Sequence, residues 1–155
     1  MQITIRRAAA SDAEIVARHN CSMAAETEDL QLDAARVLEG TRAVLDDPLK
    51  GFYLLAEADT KVAGQLMVTF EWSDWRNGVF WWMQSVYVRP EYRRLGIYRA
   101  LYHRLLSEAH AAGDVCGIRL YVDRENRTAQ AVYGRLGLRK TRYDLYEADF
   151  VIPRD

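Results

Sequence analysis

The chain has 155 residues, half of them hydrophobic, and a net charge of −1 at pH 7. This composition excludes a disordered or fibrous protein, and the length predicts one globular domain over residues 1–155. No apolar run approaches the ~18 residues of a membrane span, and the charged N-terminus does not resemble a secretory signal. Cys21 and Cys116 lack metal-ligand spacing, so we expect reduced thiols, a cytoplasmic protein and no metal site.

The charge is unevenly divided along the chain. Residues 1–84 carry 8 Lys and Arg against 13 Asp and Glu, whereas residues 85–155 carry 13 against 9. A basic second half suits a polyanionic ligand and an acidic first half a cationic one, although chance unevenness on a solvated surface explains the numbers equally well. The arginines form no extended stripe, which argues against nucleic-acid binding.

The first half of the chain predicts two helices followed by a β-hairpin. A short strand at Ile3–Arg6 precedes a helix from about Asp12 to the mid-20s, in which we interpret His19 as a helix-face residue and not a catalytic one. We predict a second helix over Leu30–Leu45, and then two strands, Phe52–Glu57 and Val62–Glu71, with a bulge at Gly64.

The four tryptophans of the chain lie within eleven residues, around the turn that follows this hairpin. Two of them flank Asp74 in a polar turn, where core packing alone would not place them. An aromatic and acidic wall attracts an ammonium group, so the candidate residues for binding a cationic substrate are Glu71, Trp72, Asp74, Trp75, Trp82 and Gln84. Cross-strand aromatic pairs that close a hairpin explain the cluster equally well.

A strand over Val79–Val88, a basic turn and a helix start come next. Pro90 ends the strand, and Gly96 lets an oxyanion approach the main chain where the first helical N–H groups lack intrahelical partners. Full positive charge on the same turn comes from Arg93, Arg94 and Arg99. The pattern predicts a phosphate site, although an ordinary strand–helix connection with solvated arginines has the same pattern.

The remaining sequence predicts a strand, a helix and a last strand. These span Val115–Val122, Arg127–Leu136 and Leu138–Phe150, and Gly137 closes the helix.

Two segments have a distinctive spacing. Residues 93–98 read R-R-L-G-I-Y behind Val86-Tyr87-Val88-Arg89-Pro90, and residues 126–138 include Asn126, Ala129, Tyr133 and Gly137. The first resembles the R/Q-x-x-G-x-G/A motif of the GNAT superfamily of acyl-CoA-dependent N-acetyltransferases, behind V-x-V-x-P. The second resembles that family's N-x-x-A-x-x-x-Y-x-x-x-G-F segment. Tyr98 departs from the pattern, since the family usually has a small residue there.

The resemblance implies an α/β (α+β) fold with a central mixed, mostly antiparallel sheet of about six to seven strands and about four flanking helices. It implies that the pantetheine arm of acetyl-CoA pairs with Val86, Tyr87 and Val88. It also implies that the diphosphate binds at Arg93, Arg94, Leu95, Gly96, Ile97, Tyr98 and Arg99. By the same resemblance, Asn126 contacts the cofactor and Tyr133 protonates the leaving thiolate.

The implied function is acetyl transfer from acetyl-CoA to a small cationic amine, directly in a ternary complex, with no metal, membrane or nucleic acid involved. No acid lies in the strand segment from Trp81 to Ser85, so Glu71 is the first candidate for the base and Asp74 the second. An amine of low pKa would need no base. Two alternatives are a protein N-terminal or lysine acceptor and a non-catalytic acyl-CoA-binding sensor. Exposed aromatic strand residues leave a homodimer open.

Overall fold

The computed structural model describes residues 1–153. Its contacts divide the chain into two compact units, Met1–Leu120 and a second unit from Tyr121 onward. The second unit contains one helix, α4 (Arg127–Arg135). The first unit contains the other regular elements: β1 (Ile3–Arg7), α1 (Ala13–Glu28), α2 (Ala34–Asp46), β2 (Phe52–Ala58), β3 (Lys61–Ser73), β4 (Gly78–Val88), α3 (Ile97–Ala112) and β5 (Val115–Arg119).

The strands form one sheet in the order β1-β2-β3-β4-β5, antiparallel throughout except for the parallel pair β4–β5. The predicted fold class, a mixed and mostly antiparallel sheet with four helices, is confirmed. The strand number is five among the described residues, below the six to seven expected. The predicted strand over Leu138–Phe150 does not form. Its alternating side chains bury no face, since Tyr146 and Phe150 are more than 90% exposed, and alternation without burial does not stabilise a strand.

Helices cover both faces of the sheet. On one face, Val16 of α1 packs with Tyr53 and Leu55 of β2 in a buried cluster that also includes Val44 and Leu45 of α2. On the other face lies α3, which buries a stripe at helical spacing consisting of Ile97, Leu101, Leu105 and Ala109. This two-sided burial explains why β2 and β3 contain runs of consecutive buried residues instead of a simple alternation.

Gly64 lies where α3 packs closely against the sheet. A Cβ on this residue would lie 2.9 Å from Cγ2 of Ile97 and 3.0 Å from the carbonyl oxygen of Tyr87. A register shift between β2 and β3 lies directly beside it, at Ala56/Glu57. The predicted bulge is therefore present, and the glycine is required by the packing of the helix against the strand.

We expect Gly64→Ala to lower the free energy of unfolding by about 1–3 kcal/mol, because α3 and β4 must move apart to admit the methyl group. The matched control is Gly40→Ala in α2, where a Cβ would meet nothing within 4 Å. That change should stabilise by about 0.5–1 kcal/mol through helix propensity. Urea unfolding of the two variants checks both signs, and equal stability of Gly64→Ala and the wild type would contradict the close packing.

Candidate functional site

Among the described residues, the second half of β4 has a neighbouring strand on one side only. β5 pairs with β4 only from Val79 to Trp82, so within residues 1–153 the edge from Met83 to Val88 has no strand partner on the side of β5. On the other side, Gln65 and Met67 of β3 oppose Tyr87 and Gln84. One β3 residue therefore faces two in β4, which is a β-bulge, and Ser85 within it has a φ of +49°.

The main chain curls between β4 and α3. Arg94 has a φ of +63° and Gly96 a φ of +85°, and α3 begins at Ile97 without a side-chain cap. The amide of Ala100 donates to the carbonyl of Gly96, whereas the amides of the preceding turn have no acceptor within the helix. Successive N–H groups exposed by such a curl at a helix start form an anion-binding concavity.

The arginines of this turn differ in their partners. Arg93 donates to the carboxylate of Glu26 at the end of α1 and, over 2.9 Å, to the carbonyl of Val88. This guanidinium, together with a hydrogen bond from the Tyr87 hydroxyl, holds the pKa of the Glu26 carboxyl below its ordinary value. Arg94 is exposed and has no carboxylate partner in the described part of the chain. Its guanidinium is therefore available to an anion.

Arg99 and Tyr98 follow in the first turn of α3. Arg99 contacts His103 one helical turn later, over 3.5 Å. The Tyr98 hydroxyl donates to the sulfur of Met83 over 3.9 Å, and its ring stacks on Tyr102. The bulky side chain that departs from the family pattern thus lies against the unpaired half of β4, while its backbone N–H stays in the helix start.

The predicted acidic and aromatic residues lie at the opposite end of β4. Glu71 opposes Phe80 and Trp72 opposes Val79, so Glu71 is separated from the bulge by the length of β4 from Phe80 to Ser85, roughly 16 Å of strand. The Glu71 carboxylate accepts a hydrogen bond from Arg119, whose guanidinium stacks on Phe80.

The side chains at the hairpin tip, where β3 turns into β4 between Ser73 and Gly78, are open to solvent. Trp72 is 63% and Trp75 is 85% exposed, and the Asp74 carboxylate caps the amide of Trp75 over 2.9 Å. Nearer the bulge, Gln84 donates to Thr69 across the strands, and Trp82 opposes Thr69. The structure therefore separates the predicted substrate residues into two groups along β4.

A buried polar cluster that the sequence analysis missed lies on the α1 side of the bulge. Gln65, with no exposed surface, donates through Nε2 to Asn20 over 2.8 Å and to the Ser85 carbonyl over 3.4 Å. Its Oε1 lies 3.1 Å from Nδ1 of His19, and Asn20 donates to the Tyr53 hydroxyl over 3.3 Å. His19 was interpreted as a helix-face residue, and it is only 4% exposed. The one feature of the sequence that could have indicated this cluster is Gln65, a glutamine among apolar strand residues.

The ring of His19 is tightly enclosed. It packs against the ring of Tyr87 with centroids 5.1 Å apart. Burial lowers the pKa of His19 from its ordinary value near 6.5, against the opposing effect of the Gln65 bond. Nε2 has no hydrogen-bond partner among the described residues.

The second unit contains the other two predicted site residues. Asn126 caps α4 by accepting from the amide of Ala129 over 3.1 Å. Tyr133 lies within α4, and burial raises the pKa of its phenol. In the described residues no three His, Cys, Asp or Glu side chains lie together as metal ligands would, and no helix is long and apolar enough to span a membrane.

Comparisons with known proteins agree with the fold. A family model described as the acetyltransferase (GNAT) family matches residues 13–138. A crystal structure of a possible acetyltransferase from Clostridium difficile 630 is 40% identical, covers 98% of this chain and 100% of its own, and has a TM-score of 0.89. A predicted acetyltransferase from Clostridium acetobutylicum, solved with acetyl-CoA, is 18% identical over 95% of this chain and 96% of its own, with a TM-score of 0.78. No curated protein matches the sequence.

Because His19 is buried, we expect the free energy of unfolding to fall in mild acid. Since its pKa is lower in the folded chain than in the unfolded one, the unfolded chain binds more protons just below pH 6.5, and the free energy of unfolding decreases there. His19→Asn, which keeps a donor toward Gln65, should reduce this dependence between pH 7.5 and pH 5. Urea midpoints measured across that range test it, and identical pH profiles for both proteins would contradict the burial of a neutral imidazole.

Proposed function

The chain belongs to the GNAT acetyltransferase family, and on this basis we propose that it transfers an acetyl group from acetyl-CoA to a primary amine. The observation that carries the proposal is the curled main chain between β4 and α3. Its helix-start amides and the exposed Arg94 offer a diphosphate hydrogen bonds and charge together. Val86, Tyr87 and Val88 continue from this turn as an unpaired strand edge, to which a chain with amide groups can add hydrogen bonds.

We propose a small cationic amine as the acceptor. Support comes from the excess of carboxylates in residues 1–84. A protein N-terminus or lysine is the second candidate, because the exposed rings of Trp72 and Trp75 form an open surface instead of a closed pocket.

The proposed reaction is direct transfer within a ternary complex. The lone pair of the amine nitrogen forms the new C–N bond, the C–S bond breaks and its electron pair leaves with sulfur, the nitrogen loses one proton to a base or to water, and the thiolate takes up a proton. We propose Tyr133 as the donor of that proton, by its match to the family motif and because its raised pKa keeps the phenol protonated at neutral pH.

The setting of the reaction is also part of the proposal. We propose that both compact units belong to one domain, since the family model continues across their boundary at Tyr121. Two free cysteines support a reducing, cytoplasmic location. The exposed aromatic hairpin supports a homodimer as an arrangement to test by light scattering.

Calorimetry with coenzyme A and with acetyl-CoA tests the binding, and thiol release with polyamines, amino acids, aminoglycosides and peptides tests the transfer. We expect binding of both coenzyme A and acetyl-CoA, and turnover with at least one cationic amine. No uptake of either would overturn the proposal. Binding without turnover of any amine or peptide would favour a non-catalytic acyl-CoA-binding sensor.

Gly96→Ala should weaken coenzyme A binding by about tenfold or more, because the left-handed backbone costs an alanine roughly 1–2 kcal/mol and the turn must distort to avoid it. Gly113→Ala is the matched control. Gly113 ends the same helix with a φ of +80°, against +85° for Gly96, and at both positions a Cβ meets nothing within 4 Å. Both changes should lower stability alike, and calorimetry should detect weaker binding in Gly96→Ala alone. Equal affinities would argue against this turn as the diphosphate site.

Tyr133→Phe should lower kcat by about 10²-fold or more, the usual contribution of a general acid, and leave the affinity for acetyl-CoA nearly unchanged. Tyr143→Phe, at an exposed tyrosine of the same unit, is the control and should match the wild type. Thiol release measured at saturating acetyl-CoA distinguishes them. Wild-type kcat in Tyr133→Phe would remove its hydroxyl from the mechanism.

A further inference from the structure

The length of the unpaired edge of β4 matches the length of the arm that joins the diphosphate of coenzyme A to its sulfur. That arm is a chain of about twelve bonds, as many as four residues of extended backbone, roughly 13 Å. Arg93 donates to the carbonyl of Val88 over 2.9 Å, so the turn folds back against the last residue of the strand. An arm that starts at this turn and follows the edge therefore ends near Gln84, with its acyl group beside Met83.

Tyr98 is a side chain of α3 that reaches this part of the strand. It starts in the first turn of the helix, and its hydroxyl donates to Sδ of Met83 over 3.9 Å. Met83 directly follows Trp82, the last residue of β4 that pairs with β5. Since Met83 is only 3% exposed, the space on the α3 face of the strand at this point is already occupied by protein atoms.

Contacts at both ends hold the Tyr98 side chain in place. Its hydroxyl is bonded to Met83, and its ring stacks on the ring of Tyr102, one helical turn later, with centroids 6.4 Å apart and 26° between the planes. Tyr102 is 4% exposed and so belongs to the close-packed interior. The ring of Tyr98 is therefore a fixed wall on the α3 side of the unpaired edge.

We propose that Tyr98 restricts the transferred acyl group to a short one, an inference that rests on the proposed function. On the α3 face of β4, an acyl chain longer than acetyl meets the fixed contact between Tyr98 and Met83. Trp82 and Gln84 alternate with Met83 and face the other side of the sheet. A chain turned to that side occupies the space through which the amine reaches the thioester carbonyl.

Truncation of Tyr98 should create room for a longer chain. Without this side chain, the sulfur of Met83 and the ring of Tyr102 lose their cover, and both are apolar groups that can contact added methylenes. A pocket of fixed shape discriminates one methylene by about 10–200-fold, so the effect on chain-length preference is large enough to measure.

The binding test uses calorimetry with acetyl-, butyryl- and hexanoyl-CoA and no amine. The wild type should bind hexanoyl-CoA about tenfold or more weakly than acetyl-CoA, and Tyr98→Ala should reduce this ratio about tenfold. Tyr98→Leu should do the same, because leucine still packs on Tyr102 but does not reach Met83, and it serves if alanine costs too much stability. Tyr98→Phe keeps the ring and should keep the wild-type ratio. So should the matched control Tyr92→Ala, at a half-buried tyrosine that contacts Arg89 before the turn.

The ratios of kcat/KM for the three thioesters, measured with the panel amine that gives the fastest thiol release, should follow the same order. A wild type that binds hexanoyl-CoA as tightly as acetyl-CoA would overturn the proposal. So would an unchanged ratio in both Tyr98→Ala and Tyr98→Leu. An equal gain in affinity for all three thioesters would also overturn it, since the tyrosine would then obstruct the arm and not the acyl group. Failure of the wild type to bind any thioester would instead overturn the proposed function.

Discussion

The one extra residue that β4 carries opposite β3 determines the geometry around the candidate site. Two strands paired without interruption would keep a regular ladder of hydrogen bonds along their whole length. Here Ser85 adopts a positive φ that costs a non-glycine residue about 1 kcal/mol or more, and the cost is met by bonds to its neighbours. One of these bonds is donated by Gln65 of β3 to the Ser85 carbonyl. Beyond this point β4 has one free edge, and it leads directly into the turn before α3.

A second constraint is that a buried amide must use all of its polar atoms. Leaving one of them without a partner costs about 1–3 kcal/mol, so Gln65 can hold only one orientation between Asn20, Ser85 and His19. The same network that stabilises the bulge thereby specifies which nitrogen of His19 carries the proton. The side chain of Gln65 in β3 therefore affects both the backbone at Ser85 and the protonation of the His19 ring.

The features predicted most accurately from the sequence are those that depend on residues close together in the chain. The strand, turn and helix around Gly96 were predicted from adjacent residues, and the observed curl and uncapped helix start agree with them. The cluster of His19 and Gln65 joins residues 46 positions apart, and polar residues inside apolar patterns gave no local sign of their pairing. The tryptophans were recognised as unusual, but the exposure of Trp72 and Trp75 depends on which side chains pack around them, and their spacing does not reveal that. The last predicted strand failed because alternation does not reveal whether a face is buried.

The ion pair between Arg93 and Glu26 has a consequence for how an anion would approach the turn. A guanidinium already neutralised by a carboxylate adds little to the field beyond a few ångströms, so counting three arginines overstates the long-range attraction. Main-chain amides act as dipoles, whose influence fades faster than that of a full charge. Capture of an anion here should therefore depend on close fit more than on distant steering, and should tolerate the ~8 Å screening length of physiological salt.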